Sequence, residues 1–290
     1  RYTYELEISG FNTGIEFDLI SASRGCPFNC TFCSFNRNPW GQKRAWSGRS
    51  PESVVEELDL IKAPFVAFTD ELFTYDMDWV ARICDLILAR GIRKKYIVNA
   101  RLEIARRPDV IQKMEQAGFA ILMLGVESAQ DKTLRSMRKG FNTAKIREYF
   151  DVLRDRSIIL HGYFILGNIG ESVQEMEQIV PFARELGLDT VNLTLLRNSP
   201  HSGLDKLVEQ NPDYHITPTG KIYSDYCSIE EIKRLRRNLS KEFYTKRQLL
   251  RILNKMRRSG LLKLFLSPNF SHPARFVYSQ IKARLGGDRR

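Results

Sequence analysis

Residues 23–34 read Ser-Arg-Gly-Cys-Pro-Phe-Asn-Cys-Thr-Phe-Cys-Ser, which sets Cys26, Cys30 and Cys33 in the spacing Cys-x-x-x-Cys-x-x-Cys. Thiolates packed this tightly suit a soft metal or an iron–sulfur centre. A closed structural zinc site uses four ligands, and so does an ordinary electron-carrying four-iron cluster. Three thiolates on a four-iron cube leave one iron without a protein ligand. An open coordination position is what separates catalytic from structural metal sites. The competing reading is a zinc knuckle with a distant fourth ligand, for which Cys227 is available.

Short apolar β-type runs alternate with helical patterns along the chain, the signature of βα units around a parallel sheet. The runs at 17–23, 65–69, 96–100, 120–125, 158–166 and 190–195 read as strands. Ser50 before Pro51 marks a helix start, and Gly91, Gly118 and Gly187 follow helical stretches as stop signals. Helices are expected over 52–61, 78–90, 108–117 and 172–186. Six strands, each followed by a helix, predict a partial (β/α)6 TIM-like barrel; periodicity alone does not separate that from an open doubly wound sheet. Residues 197–226, rich in Pro, Gly, Asn and Ser, read as a long loop, and 228–254 as one or two basic amphipathic helices. The division expected is a barrel over 1–200 and a helical, basic C-terminal extension over 201–290.

In a parallel barrel, ligands collect at the carboxyl ends of the strands, where the remaining chemistry-bearing residues fall. Strand two ends in Thr69-Asp70-Glu71, an acidic turn that serves either ligand binding or helix capping. Strand three ends at Arg101, whose fork suits a carboxylate as well as it suits a surface ion pair. Strand four ends in Gly125-Val126-Glu127-Ser128, and a carboxylate directly behind four apolar residues asks for a function. Strand five runs through Ile165 and Gly167 to Glu171. Cys84 lies on the apolar side of a helix and reads as core; Cys227 reads as a plain thiol unless it reaches the barrel mouth. The four histidines show no paired metal spacing.

The cysteine run, with Phe32 at the aromatic position of Cys-x-x-x-Cys-x-aromatic-Cys, resembles the radical S-adenosylmethionine (radical SAM) superfamily. That resemblance implies a 4Fe–4S cluster on Cys26, Cys30 and Cys33 whose open iron takes the amino and carboxylate groups of S-adenosylmethionine. It further implies one-electron cleavage of the sulfonium to a 5′-deoxyadenosyl radical. By the same resemblance Phe32, Asp70 (ahead of Glu71), Arg101, Glu127, Ser128, Ile165 and Gly167 fall at cofactor-binding positions. The segments 23–33, 40–41, 70–74, 125–128, 137–140 and 164–171 are similar to the branch that carries an N-terminal cobalamin-binding domain, hopanoid methylases included. Cobalamin is therefore implied by resemblance only, and the start at Arg1, inside a strand-like stretch, fits a piece of a longer protein. The expected activity is methyl transfer to an unactivated carbon of a small or lipid-like substrate, with a flavodoxin or ferredoxin as electron donor. A radical cyclase or other oxidative enzyme is the nearest alternative. A methylthiotransferase acting on tRNA is disfavoured, because that family needs a second cluster domain. A zinc-stabilised nucleic-acid binder is the non-enzyme alternative.

A composition of 43% hydrophobic and 27% charged residues excludes wholesale disorder. No apolar run approaches the length that spans a bilayer. Five cysteines with three clustered fit a reducing compartment, so the cytoplasm is the expected location. The net charge of +11 is uneven: 228–290 hold 17 Lys and Arg against 4 Asp and Glu, while the rest is close to neutral. A basic helical tail of this kind is able to meet an anionic membrane surface, nucleic acid or an acidic protein, or simply to present a solvated face.

Overall fold

The computed structural model describes residues 4–8 and 11–265. Its centre is a seven-stranded sheet in the order β1-β2-β5-β6-β7-β8-β9. Six of these strands are parallel: β2 (Phe11–Ile20), β5 (Phe65–Phe68), β6 (Lys95–Ala100), β7 (Phe119–Glu127), β8 (Ile159–Leu166) and β9 (Thr190–Leu195). The sheet curls into a half-barrel with helices outside, the expected fold. A short antiparallel strand, β1 (Tyr4–Ile8), adds an edge beyond β2. A two-residue ladder of β3 (Ser23–Arg24) with β4 (Ser47–Gly48) closes the base of the cysteine loop.

Local chemistry sets the outer layer. Helix α1 (Pro51–Leu60) starts on the Ser50 cap, whose side chain accepts from the Ser53 N–H, with proline at the first position. Helix α2 (Met77–Ala89) is capped by Asp76, and α3 (Pro108–Ala117) stops at Gly118 with φ 103°. Between β7 and β8 the chain adds α4 (Asp131–Ser136) and α5 (Thr143–Leu153), the latter burying Ile146, Tyr149, Phe150 and Leu153. The single helix expected over 172–186 is two, α6 (Val173–Glu177) and α7 (Ile179–Glu185). Pro181 lacks the N–H that would bond back to Glu177, so the ladder breaks there. Residues 197–226, expected as loop, contain α8 (Leu204–Glu209) and a hairpin of β10 (Tyr214–Ile216) with β11 (Ile222–Ser224).

The basic segment forms α9 (Ile229–Phe243), opened by a Ser228–Glu231 capping box, then α10 (Lys246–Arg258) and α11 (Leu262–Phe265). Helix α10 crosses the amino ends of β8 and β9: Lys255 donates to the Ile158 carbonyl and Gln248 to the carbonyls of Leu188 and Asp189. Leu261 packs in a small apolar cluster with Ile15, Phe65, Ala120 and Ile159, which plugs that end of the barrel. Among the described residues no helix is long and apolar enough to cross a membrane. The expected continuation of the basic extension past residue 265 lies outside the described residues.

Candidate active site

The cysteine loop leaves β2 and is shaped by its own backbone. Gly25 has φ 85°, and a Cβ there would run into the Ala45 carbonyl, so only glycine lets the two sides of the loop meet. The Gly25 N–H donates to Glu71 Oε2 at 3.0 Å. A turn brings the Cys33 N–H onto the Cys30 carbonyl at 3.1 Å, and Thr31 N–H reaches the Met137 carbonyl at 3.1 Å. The loop is thereby tied to the segment after α4. All three cysteines are half-buried. Burial pushes the Cys33 thiol up to about 11 and also raises Cys26. Metal–sulfur bonding at this site must therefore displace thiol protons.

The three cysteines line one open cavity of about 610 Å³ at the carboxyl ends of the strands. That is within the usual size of small-molecule sites. Among the described residues no three His, Cys, Asp or Glu side chains close on a single metal ion. A cube binds each cysteine through a different iron and so asks for a wider triangle than one ion does. Cys227 is buried in the main core and does not line the cavity, so it does not complete a fourth ligand. Three thiols facing one cavity, with no fourth beside them, are the donor set a four-iron cluster with an open position takes.

Around the thiols stand two carboxylates and two cations. Arg101, 8% exposed, stacks its guanidinium 3.6 Å from the Phe28 ring centre. It pairs with Glu103 at 2.9 Å, donates to the Lys139 carbonyl at 2.6 Å, and holds Nη1 3.9 Å from Cys30 Sγ. Lys139, 5% exposed, pairs through Nζ with Glu127 Oε1 at 2.8 Å. Glu127 has φ 74°, a left-handed conformation that costs a glutamate strain, and it sits at a break in the β7–β8 register. A Cβ on Gly125 would collide with the Glu127 carboxylate and lie 2.7 Å from Lys139 Nζ, so the strand needs glycine for that pair to cross it. Glu71 also pairs with Arg44 at 3.5 Å. Carboxylates beside cations on one wall are complementary to a zwitterion, each charge of the ligand meeting its opposite.

Of the residues expected at the site, Cys26, Cys30, Cys33, Phe32, Glu71, Arg101, Glu127 and Ile165 line this cavity. Asp70 does not: it is fully buried under the loop, accepting from Ala22 N–H at 3.1 Å and from the Ser23 hydroxyl. Ser128 points away from the cavity, its hydroxyl 3.4 Å from Glu171 Oε1. Glu171 in turn accepts from the Asn168 side chain at 2.9 Å, and burial pushes its carboxyl up to about 7. Gly167 lies beside Ile232, away from the cavity wall. Lys139, Asn99 and Met123 line it without having been singled out, and Tyr163 lines it as well. Lys139 stood in the 137–140 segment, and only that resemblance signalled it. His161 shares its strand face with Tyr163, its ring 5.0 Å from the phenol and its Nδ1 2.8 Å from Thr190 Oγ1. Burial lowers its pKa to about 4, which keeps it neutral.

The model of the radical SAM superfamily matches residues 20–183, more than half of the chain. An uncharacterised methyltransferase of Pyrococcus horikoshii is 25% identical over 278 residues, spanning 94% of this chain and 58% of that protein. The anaerobic magnesium-protoporphyrin IX monomethyl ester cyclase of Cereibacter sphaeroides is 27% identical over 198 residues, 66% of this chain and 32% of its own length. The chain thus spans between a third and somewhat over half of these relatives. The structure of apo OxsB, a cobalamin-dependent S-adenosylmethionine radical enzyme, shares the fold with a TM-score of 0.62 at 16% identity, covering 92% of this chain and 49% of that one. With the three-cysteine loop at the mouth of a parallel half-barrel and the family match running through it, this chain belongs to the radical SAM superfamily.

Proposed function

We propose that this chain is the catalytic barrel of an enzyme that cleaves S-adenosylmethionine reductively to a 5′-deoxyadenosyl radical at a 4Fe–4S cluster held by Cys26, Cys30 and Cys33. The complete reaction in this reading is cobalamin-dependent methyl transfer to an unactivated carbon of an apolar substrate. One juxtaposition carries it: three thiols, two carboxylates and two cations share a single cavity. A cluster held by Cys26, Cys30 and Cys33 would supply one electron to the cofactor's sulfonium. The chain's own residues do the positioning. Glu71 and Glu127 accept hydrogen bonds from the cofactor's ammonium, while Arg101 and Lys139 meet its carboxylate. Phe32 and Ile165 give apolar walls to its adenosine end. Met123, Tyr163 and Leu195 add apolar lining that would keep water from a reactive carbon centre.

Methyl transfer is favoured by the match to the Pyrococcus horikoshii methyltransferase, which runs along nearly the whole chain. Cobalamin enters through the shared fold with OxsB. The match to the magnesium-protoporphyrin ester cyclase favours a second reading, in which the same radical serves an oxidative ring closure. In either reading the enzyme works in the cytoplasm and draws electrons from a carrier protein. Peripheral membrane contact has one supporting feature, the outer side of α10, where Leu250 and Leu253 are exposed near Lys246, Arg247 and Arg257. That face lies at the barrel end opposite the cavity, so it is suited to anchoring and not to delivering a lipid into the site.

Reconstitution with iron and sulfide under anaerobic conditions tests the core of this proposal. A four-iron spectrum that changes on adding S-adenosylmethionine, with 5′-deoxyadenosine formed under a low-potential reductant, is the expected result. Cys30→Ala is expected to lose the deoxyadenosine signal to background while circular dichroism shows the barrel still folded. Stoichiometric zinc in place of iron, or cofactor cleavage undiminished in Cys30→Ala, would overturn it.

A further inference from the structure

From Leu19 to Pro51 the chain has no Asp or Glu in 33 residues, but carries Arg24, Arg37, Lys43, Arg44 and Arg49. Two of these are engaged from below, Arg44 by Glu71 and Arg49 by Glu57. Arg37 and Lys43 are different. They face each other across an isolated antiparallel bridge, both exposed, and neither makes an ion pair among the described residues. Between them the chain forms a hairpin whose tip is Trp40, 81% exposed, the most exposed large apolar side chain among the described residues. That tip is not slack. Asn38 Oδ1 accepts from the Trp40 and Gln42 N–H groups at 3.0 Å each, and the Arg44 N–H bonds the Asn36 carbonyl at 2.7 Å. An indole held in water by an ordered turn, flanked by cations, has the make-up of a contact anchor.

The same hairpin leads to the thiols. Phe35, 60% exposed, lies two residues after Cys33, and its N–H points at Cys33 Sγ at 3.4 Å. A partner resting on Trp40, Arg37 and Lys43 would therefore touch a segment that runs back along the chain to Phe35, whose N–H bonds one of the three sulfurs.

We propose that this hairpin is the docking surface for a small acidic one-electron carrier protein, with Arg37 and Lys43 steering it and Trp40 anchoring it. The inference rests on the radical SAM reading of the site, since it assigns the origin of the electron used there. The electron count is simple. The reduced flavin or iron–sulfur centre of the carrier loses one electron, the cluster on Cys26, Cys30 and Cys33 gains one, and no bond or proton moves. Redox encounters of this sort are small and steered by charge, which a hairpin with two exposed cations and one aromatic suits. A duplex or a bilayer would ask for a broader basic face than this tip offers.

The test measures binding and turnover separately. Oxidised flavodoxin is the binding probe, with the cluster-free chain immobilised, and an acidic protein without a redox centre and anionic phosphatidylglycerol vesicles run beside it. The expected result is flavodoxin affinity that weakens as ionic strength rises from about 0.01 M to about 0.15 M. In the double variant R37E/K43E it should fall by about tenfold or more, with a smaller loss in W40A. Circular dichroism, and the milder pair R37Q/K43Q, guard against a folding defect. On the reconstituted enzyme, deoxyadenosine formation driven by reduced flavodoxin should fall with binding, while that driven by reduced methyl viologen, a cationic mediator, stays within about twofold. Flavodoxin binding unchanged in both variant pairs would overturn the proposal, as would equal binding of the non-redox acidic protein or tighter binding of the vesicles. No cleavage by the unaltered enzyme with methyl viologen would instead overturn the radical SAM reading, a different outcome from loss of the flavodoxin-driven rate alone.

Discussion

The two ends of this half-barrel each bury an ion pair, and the pairs are built differently. At the amino end Asp189, fully buried, accepts from Arg251 Nε at 3.2 Å, Lys255 Nζ at 3.1 Å and the Leu160 N–H at 2.9 Å. Lys255, 4% exposed, spends a further donor on the Ile158 carbonyl at 3.1 Å. Protein groups meet the carboxylate on every side, and α10 is fastened across the barrel floor. At the carboxyl end Glu127 and Lys139 are nearly as buried, but they stand on a cavity wall, and Glu127 adopts a strained backbone angle to do so. The first pair is closed and acts as a clamp. The second keeps donor and acceptor capacity facing open space, as a receptor for a charged ligand does. Burial alone does not distinguish structural from functional charge; what lies on the remaining side does.

Breaking the clamp should have the larger effect on folding. Asp189→Asn leaves Lys255 without its carboxylate in a dry site, while the partly exposed Arg251 can turn to water; stranding one buried partner typically costs about 3–5 kcal/mol. Urea unfolding is expected to show a midpoint lowered accordingly. Iron content per folded molecule after reconstitution should stay near that of the unaltered chain, because the thiols lie at the other end. An unchanged midpoint would mean that the amino-end pair contributes no net stability and that the contrast drawn between the ends is wrong.

The receptor pair should respond the other way round. In Lys139→Met the methionine fills much of the same volume, and water in the open cavity can solvate Glu127. Losing a charge-assisted contact to the ligand is worth about 1.5–3 kcal/mol, or roughly tenfold to a hundredfold in affinity. Titration of the reconstituted protein with S-adenosylmethionine should show that weakening, with a smaller shift in the urea midpoint than Asp189→Asn gives. Lys139→Arg, which keeps a cation there, should recover part of the affinity. A stability loss equal to that of Asp189→Asn, with unaltered cofactor affinity, would assign Lys139 to the clamp class.

Much of this layout is readable in the chain. Five of the six parallel strands fall within two residues of the apolar runs, since a strand covered on both faces reads as nearly continuous Val, Ile, Leu and Phe, while β2 begins six residues ahead of the run expected at 17–23. The Ser50, Ser172 and Ser228 caps and the stop at Gly118 are equally local signals. Helix α4 and the split at Pro181 were harder, since short helices take their stability from packing more than from sequence period. In the site, the cysteines are visible from their spacing, and Arg101 and Glu127 because they sit at strand ends. The choice between Asp70 and Glu71 is not visible. Neighbours in a turn point in different directions, and here the loop above captures Asp70 while Glu71 reaches the cavity. Lys139 comes from a loop after α4, where a lysine ordinarily faces water, so only the fold reveals its burial.

The smallest effect expected separates a third buried charge from both pairs. Glu171 sits behind the cavity wall with Asn168 and Ser128 and, among the described residues, no cation paired to it, and burial raises its carboxyl to about 7 from an ordinary 4.5. A raised carboxyl keeps its proton in the fold at pH values where the unfolded chain has lost it. The folded state then binds more protons, so stability falls as pH climbs. Its contribution is fully present below about 4.5 and is lost between about 4.5 and 7. Glu171→Gln removes the titration while keeping an oxygen for the Asn168 amide. The variant should therefore show a flatter decline in urea midpoint between about pH 5 and 7. If the unaltered chain and Glu171→Gln lose stability in parallel across that window, Glu171 is ionised in the fold, and a buried carboxylate at this end does not need a cation beside it as Glu127 and Asp189 do.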